Sequence, residues 1–250
     1  MPRLSLIVIS KNEEAAIARC LRSANFADEI VVVDHASTDK TVEIARALGA
    51  RVIVTADWPG FGPQKNRALQ QATGDWVLSL DADEWIEPAL AAEIRAAIAR
   101  ADAADGYAIP RRSRFCGHIV RHGDWRGDRV LRLFRRARGR FSDDHVHERV
   151  IVEGRLARLS SPLEHDSITD PADAAEKIER YATAAAVQLA EEGKTSSLAK
   201  ASLRGWAAFV RSYLLRLGFL DGLTGLRVAD YNRRYTYEKW ARLAKRPRRS

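Results

Sequence analysis

The stretch VLSLDADEWIEP, residues 77–88, decides how the rest of the sequence is read. An apolar run ends in Asp81, Asp83 and Glu84, then meets Trp85 and, three residues later, a proline. A short apolar run bounded by polar residues suits a strand buried on both faces. Alternate side chains of a strand share a face, so Asp81 and Asp83 would project together if the extended geometry continued through them. Two close carboxylates repel each other unless a cation or a set of donors lies between them. The pair predicts a divalent metal at the carboxyl end of a strand; the competing reading is a loop of solvated acids before the next helix.

The preceding sequence repeats the same plan. Strands are expected over 4–9, 29–33, 51–54 and 76–80, alternating with helices over 13–23, 40–48, 65–72 and 88–100. Such alternation predicts an α/β fold with a doubly wound, mostly parallel sheet, which binds ligands outside the carboxyl ends of its strands. The polar clusters at 10–14, 34–39 and 81–84 all fall at those ends. From 106 to about 165 the pattern turns to strands joined by loops rich in Arg, Gly and His. From 171 onward it is helical, with helices over 172–192, 198–218 and 225–244. Three consecutive regions follow: 1–105 as the donor-binding half, 106–168 as the acceptor-binding half, and 169–250 as a helical, basic extension.

The totals narrow the choice of partner. With 250 residues and 46% apolar content the chain can bury a full core. Net charge is +8 and the pI about 9.8, which favours an anionic partner. Two cysteines, Cys20 and Cys116, exclude a disulfide scaffold or a CxxC zinc site. The N-terminal apolar run is too short for a secretory signal, and no run approaches the roughly 18 apolar residues of a membrane span. A cytoplasmic chain is expected.

Several motifs carry candidate chemistry. ISKNEE places Ser10 and Glu13 either in a capping box at a helix start or beside a bound nucleotide. VVVDHASTDKT ends a strand at Asp34, where a carboxylate is able to accept from a nucleobase or ribose; Asp39 reads as an N-cap. No G-x-G-x-x-G follows, which argues against a nicotinamide or flavin. GFGPQKNRAL puts Lys65 near a prospective pyrophosphate, or in solvent, and no GK[ST] completes a phosphate loop. FSDDHVHERV collects Asp143, Asp144, His145, His147 and Glu148, as a metal site, a general base, or a polar strand edge.

In this order the segments ISKNEE, VVVDHASTD, GPQKNRAL, GDWVLSLDADE and HVHE resemble the inverting family 2 glycosyltransferases of the GT-A fold, over about the first 165 residues. The helical remainder, with GFLDGLTG, is similar to that of bacterial lipopolysaccharide inner-core β-1,4-glucosyltransferases. The resemblance implies transfer of a hexose, glucose above all, from a UDP-sugar donor with Mg²⁺ or Mn²⁺ as cofactor. It implies Ser10 and Glu13 lining the uridine pocket, Asp34 on uracil, and Lys65 near the base or diphosphate. Asp81 would bind ribose and share the metal with Asp83. Glu148 would be the catalytic base, with Asp143 and Asp144 as alternatives.

The acceptor side is crowded with arginines between Arg111 and Arg140, suited to a phosphorylated, lipid-linked or glycan acceptor. Trp125 is open to sugar stacking or to packing. Trp206, Phe209, Val210, Tyr213 and Leu217 form one stripe beside a basic tail, predicting peripheral contact with an anionic bilayer at the inner face of the cytoplasmic membrane. Rival readings are a polyprenyl-phosphate glycosyltransferase and a metal-dependent phosphate hydrolase. A nucleic-acid binder would leave the acidic cluster without a purpose, so no nucleic-acid partner is expected.

Overall fold

The structure, a computed structural model, describes residues 2–142 and 149–246. Asp143, Asp144, His145, His147 and Glu148 therefore lie outside the described residues. In chain order the elements are β1 (Leu4–Ser10), α1 (Ile17–Ser23), β2 (Glu29–Asp34), α2 (Thr41–Ala47), β3 (Arg51–Val54), α3 (Phe61–Gln71), β4 (Trp76–Asp81), β5 (Glu84–Ile86) and α4 (Pro88–Ala99). There follow β6 (Gly106–Phe115), β7 (His118–Ile119), β8 (Arg129–Arg135), β9 (Gly139–Phe141), β10 (Val150–Val152), β11 (Leu156–Arg158) and β12 (Leu163–Ile168). The helices α5 (Pro171–Glu191), α6 (Leu198–Val210) and α7 (Gly222–Lys245) complete the chain. Two compact units result, one of residues 1–111 and 128–165, the other of 112–127 and 166–250.

The first unit is built on a sheet whose strand order begins β3-β2-β1-β4-β8-β6. The first four strands are parallel, and β8 runs antiparallel to both β4 and β6. Every residue of β1 is buried because its two faces serve two cores. Leu4, Leu6 and Val8 pack with Ile17, Leu21, Leu90 and Ile94 of α1 and α4, whereas Ile7 and Ile9 pack with Ala68 of α3, Phe134 and Phe141. Helices thus cover both faces, which is why these strands read as unbroken apolar runs.

Local structure departs from the sequence reading in three places. Helix α1 begins at Ile17, with no side-chain cap; Ser10 instead donates to Asp34, so the S-x-x-E segment forms no capping box. Helix α3 begins at Phe61, earlier than expected, because Pro63 sits in the first turn, where its missing N–H costs nothing. Strand β4 ends at Asp81, and Ala82 and Asp83 form a turn before β5. The alternation that would aim Asp81 and Asp83 the same way does not extend that far.

The second unit is mainly helical. Asp170 caps α5, accepting from the backbone N–H groups of Ala172 and Asp173, and Ser197 caps α6. Helix α7 packs against both α5 and α6. Trp125 is a packing residue, 5.9 Å from the rings of both Phe115 and Tyr231. Burial pushes the Tyr231 phenol up to about 12. The helix expected to run to 218 stops at Val210, turns through a wider π-type turn at Arg211–Leu215, and breaks at Leu217, whose φ is 61°. The stripe on α6 is also inverted relative to an ordinary packing face: Ala201, Gly205 and Ala208 are buried, while Trp206 is 57% exposed. Among the described residues no helix is long and apolar enough to cross a membrane.

A methyl group at Gly74 would meet the Ser5 hydroxyl at 2.6 Å and the Arg3 carbonyl at 2.9 Å. Gly74→Ala should lower the unfolding free energy by about 1–3 kcal/mol, measured as a lower urea midpoint; an unchanged midpoint would mean that the entry to β4 has slack.

Candidate functional site

The parallel register sets Ser10 opposite Asp34 and Ile9 opposite Asp81, so the polar clusters of β1, β2 and β4 share one sheet edge. Asp34 is fully buried. Its carboxylate accepts from Ser10 Oγ at 2.8 Å, Ser37 Oγ at 2.6 Å and the Ser37 backbone N–H at 2.8 Å. The loops after β1 and β2 are laced together around it. Asn12 Oδ1 accepts from the Thr38 N–H at 2.9 Å, the Glu13 N–H donates to Thr41 Oγ1 at 2.7 Å, and Glu14 accepts from the Lys40 N–H at 3.0 Å. Asp39, expected as the N-cap of α2, stands one residue before it: Lys40 is the N-cap, and the Asp39 carboxylate accepts from the Thr41 N–H at 3.0 Å. Asn12 and Ala36 are held at φ of 54° and 46°. Such left-handed residues cost on the order of 1 kcal/mol or more each and persist where surrounding contacts over-determine them.

Asp34, expected to face a nucleobase, accepts three hydrogen bonds within this lace. Beside the lace lie three aromatic rings that carry no motif of their own. His35 lies 5.4 Å from Trp58, which is 39% exposed and meets Phe61 edge-on at 5.0 Å. Their one sequence signal is the Trp-Pro-Gly turn between β3 and α3.

At the end of β4 the structure puts two cations against Asp81. Lys65 Nζ donates to Asp81 Oδ1 at 2.8 Å, and Arg132 Nη2 donates both to Asp81 Oδ2 and, at 2.7 Å, to Glu84 Oε1. Glu84 is fully buried and its other oxygen accepts the Asp81 N–H at 3.0 Å. Burial alone would raise the Asp81 pKa, but the charges of Arg132 and Lys65 hold it far below the usual carboxylate range. The reciprocal effect raises Arg132 against the opposing influence of its own burial. Asp83 stands in the turn, 27% exposed, with its Oδ2 3.5 Å from His165 Nε2. The Cys20 thiol, buried beneath, is pushed well above its ordinary value by burial first and then by Glu84, Asp83 and Asp81. Arg132, one of the arginines expected on the acceptor side, belongs instead to this buried network, together with Glu84.

The GPQKNRAL segment owes its composition to contacts of α3. Gln64 donates to Thr55 Oγ1 at 2.8 Å, Arg67 forks onto Asp57, and Lys65, only 2% exposed, reaches Asp81. Asn66 both donates to and accepts from the Phe141 backbone, at 3.0 and 2.9 Å. It therefore pins β9, which pairs with β10 on either side of the stretch holding Asp143, Asp144 and Glu148. Much of the arginine crowd is likewise structural: Arg111 pairs with Asp128, Arg129 donates to the Leu159 carbonyl, and Arg136 donates to the Gly74 carbonyl.

Residues 5–152 match the family described as glycosyl transferase family 2. The chain belongs to that family. It is 30% identical to the lipopolysaccharide core biosynthesis glycosyltransferase LpsC of Rhizobium meliloti, over 95% of this chain and 93% of that one. An uncharacterized glycosyltransferase of Rickettsia typhi is also 30% identical, over 98% of this chain and 87% of its own length. Among solved structures, residues 1–349 of S. aureus TarS align over 95% of this chain and 90% of that one, with 18% identity and a TM-score of 0.47. The glucosyl-3-phosphoglycerate synthase of Mycobacterium tuberculosis, solved with Mn²⁺ and UDP, aligns over 46% of this chain and 45% of that one, with 26% identity and a TM-score of 0.38. The family 2 glycosyltransferase has the GT-A fold, a mixed α/β sheet followed by a helical C-terminal region.

A divalent ion fits this glycosyltransferase in a narrower way than the sequence implied. Among the described residues no three His, Cys, Asp or Glu side chains form a ligand cluster, and both Asp81 oxygens are held by cations. Mg²⁺ accepts one or two carboxylates completed by phosphate oxygens and water. Asp83, partly open in its turn, suits that arrangement.

Removing Arg132 would leave Glu84 buried and poorly compensated. Arg132→Met should destabilise the fold by about 3–5 kcal/mol in chemical denaturation. Because Asp81 is depressed in the fold, its ion pairs stabilise at every pH above the ordinary carboxylate value and fade only as pH falls through the lower folded value. The variant loses much of that depression, so its acid-unfolding midpoint should move to higher pH; a midpoint equal to wild type would contradict the network.

Proposed function

We propose that the chain transfers a hexose, glucose in the first instance, from a UDP-sugar to a lipopolysaccharide core or related lipid-linked or glycan acceptor, inverting the anomeric centre. The observation that carries this reading is the division of labour at the end of β4. Lys65 and Arg132 hold both oxygens of Asp81, while Asp83 stands in the turn after β4, 27% exposed and 3.5 Å from His165. The name of LpsC, similar along nearly the whole chain, supports a lipopolysaccharide acceptor.

In this mechanism Asp83 would hold Mg²⁺ or Mn²⁺, and Asp81 is a positioning residue that keeps Lys65 and Arg132 beside the turn. The ion would stabilise the negative charge that develops on the departing nucleoside diphosphate. Ser10, Glu13 and Asp34 shape the uridine pocket through the laced loops. A carboxylate of the segment between β9 and β10, Glu148 before Asp143 or Asp144, takes the proton from the attacking acceptor hydroxyl on the far face of the sugar. The reaction takes place at the inner face of the cytoplasmic membrane, which the second unit contacts.

Asp83→Asn should abolish the additional thermal stabilisation that Mn²⁺ gives to the UDP-bound protein, and turnover with it, while its unfolding midpoint without ligands stays near wild type. Full Mn²⁺ dependence in that variant would remove Asp83 from the metal site. Glu148→Gln should lower kcat by about 10²- to 10⁴-fold with donor affinity unchanged in calorimetric titration. A loss confined to donor binding would move the base elsewhere.

A further inference from the structure

The turn between α6 and α7 is built inside out. Ser212, Gly218 and Gly225 are buried within it. A methyl group at Gly225 would lie 1.8 Å from the Gly218 carbonyl oxygen, and one at Gly218 would lie 2.6 Å from that of Ser212, so the turn closes only because these positions are glycine. Leu214, Leu215, Leu217, Phe219, Leu220 and Leu223 point outward, with Leu215 74% and Leu223 61% exposed. A turn shaped by water alone would not leave six large apolar side chains exposed side by side.

The turn is also firmly held. Asp221 accepts from the N–H groups of Arg121 and His122 and from His122 Nδ1, each at 2.8 Å. The Gly123 N–H donates to the Arg216 carbonyl at 2.9 Å, and Asp124 pairs with Arg211 and Arg216. The apolar surface is therefore a formed shape, and the same segments carry exposed Arg211, Arg216 and Arg227, of which Arg211 and Arg216 share Asp124. A second copy docking symmetrically on this face would bring the same arginines together. A bilayer with anionic headgroups accepts both parts, the leucines at the acyl boundary and the guanidinium groups at the phosphates.

We propose that residues 214–223 form a wedge that inserts into an anionic membrane surface, with the flanking arginines on the headgroups. This rests on the membrane contact proposed above and names its element. The test uses the full chain with vesicles of phosphatidylcholine alone or mixed with phosphatidylglycerol, read by flotation, together with UDP-dependent thermal shift on the same preparations. Wild type should float with the mixed vesicles. The double variant Leu215→Glu/Leu223→Glu should lose about tenfold or more in partition, as expected for two leucines withdrawn from the bilayer boundary, with its unfolding midpoint and UDP response retained. Leu156→Glu, at an exposed leucine of the other unit, should float like wild type. Arg216→Glu/Arg227→Glu should erase the preference for phosphatidylglycerol. Wild type that ignores vesicles, leucine variants that float undiminished, or a wild-type dimer that the leucine variants dissolve would each overturn the wedge. A missing UDP response with intact flotation would instead count against the donor assignment alone.

Discussion

The site depends on one electrostatic constraint: Glu84 is fully buried and Asp81 partly exposed at the end of a doubly covered sheet, and Lys65, Arg132 and Arg111 face them there. Burying a lone carboxylate is prohibitive, so the cations are required for β4 to end as it does. Their sources are separate in the chain, Lys65 from α3 and Arg132 from β8, so the network joins the parallel half of the sheet to the antiparallel half. With these charges paired, the chain turns at Ala82–Asp83 into β5, and Asp83 comes within 3.5 Å of His165.

The second constraint is the lace between the loops after β1 and β2. Asp34 gives its hydrogen-bonding capacity to Ser10 and Ser37 and thereby holds Ala36 in a left-handed conformation. A ligand at this edge meets a surface whose shape is set in advance, with His35 and Trp58 as its accessible rings. Asn66 makes a third fixed point: it ties α3 to β9, so the helix that supplies Lys65 also fixes the entry to the segment carrying Glu148.

Much of this was legible locally. Apolar runs and Pro88 at a helix start each report on neighbours a few residues away, and they indicated the alternating architecture. The acids at strand ends were visible for the same reason. Their partners were not: Asp81 meets Lys65 and Arg132 across 16 and 51 residues, distances at which sequence spacing carries no geometric information. The α6 stripe was visible, but its direction was not. A pattern of large apolar residues on one side of a helix predicts burial of that side only when the other side cannot pack more closely, and Gly205 allows the backbone of α7 to come near.

The sequence by itself determined the order of strands and helices, the family, and the end of the sheet at which chemistry gathers, because periodicity and strand-end composition are local quantities. The tertiary structure alone decided which cations meet Asp81 and Glu84, which arginines belong to the fold, and which face of α6 is left bare. Those outcomes turn on burial and on pairing between distant segments, and neither exists until the chain has closed on itself.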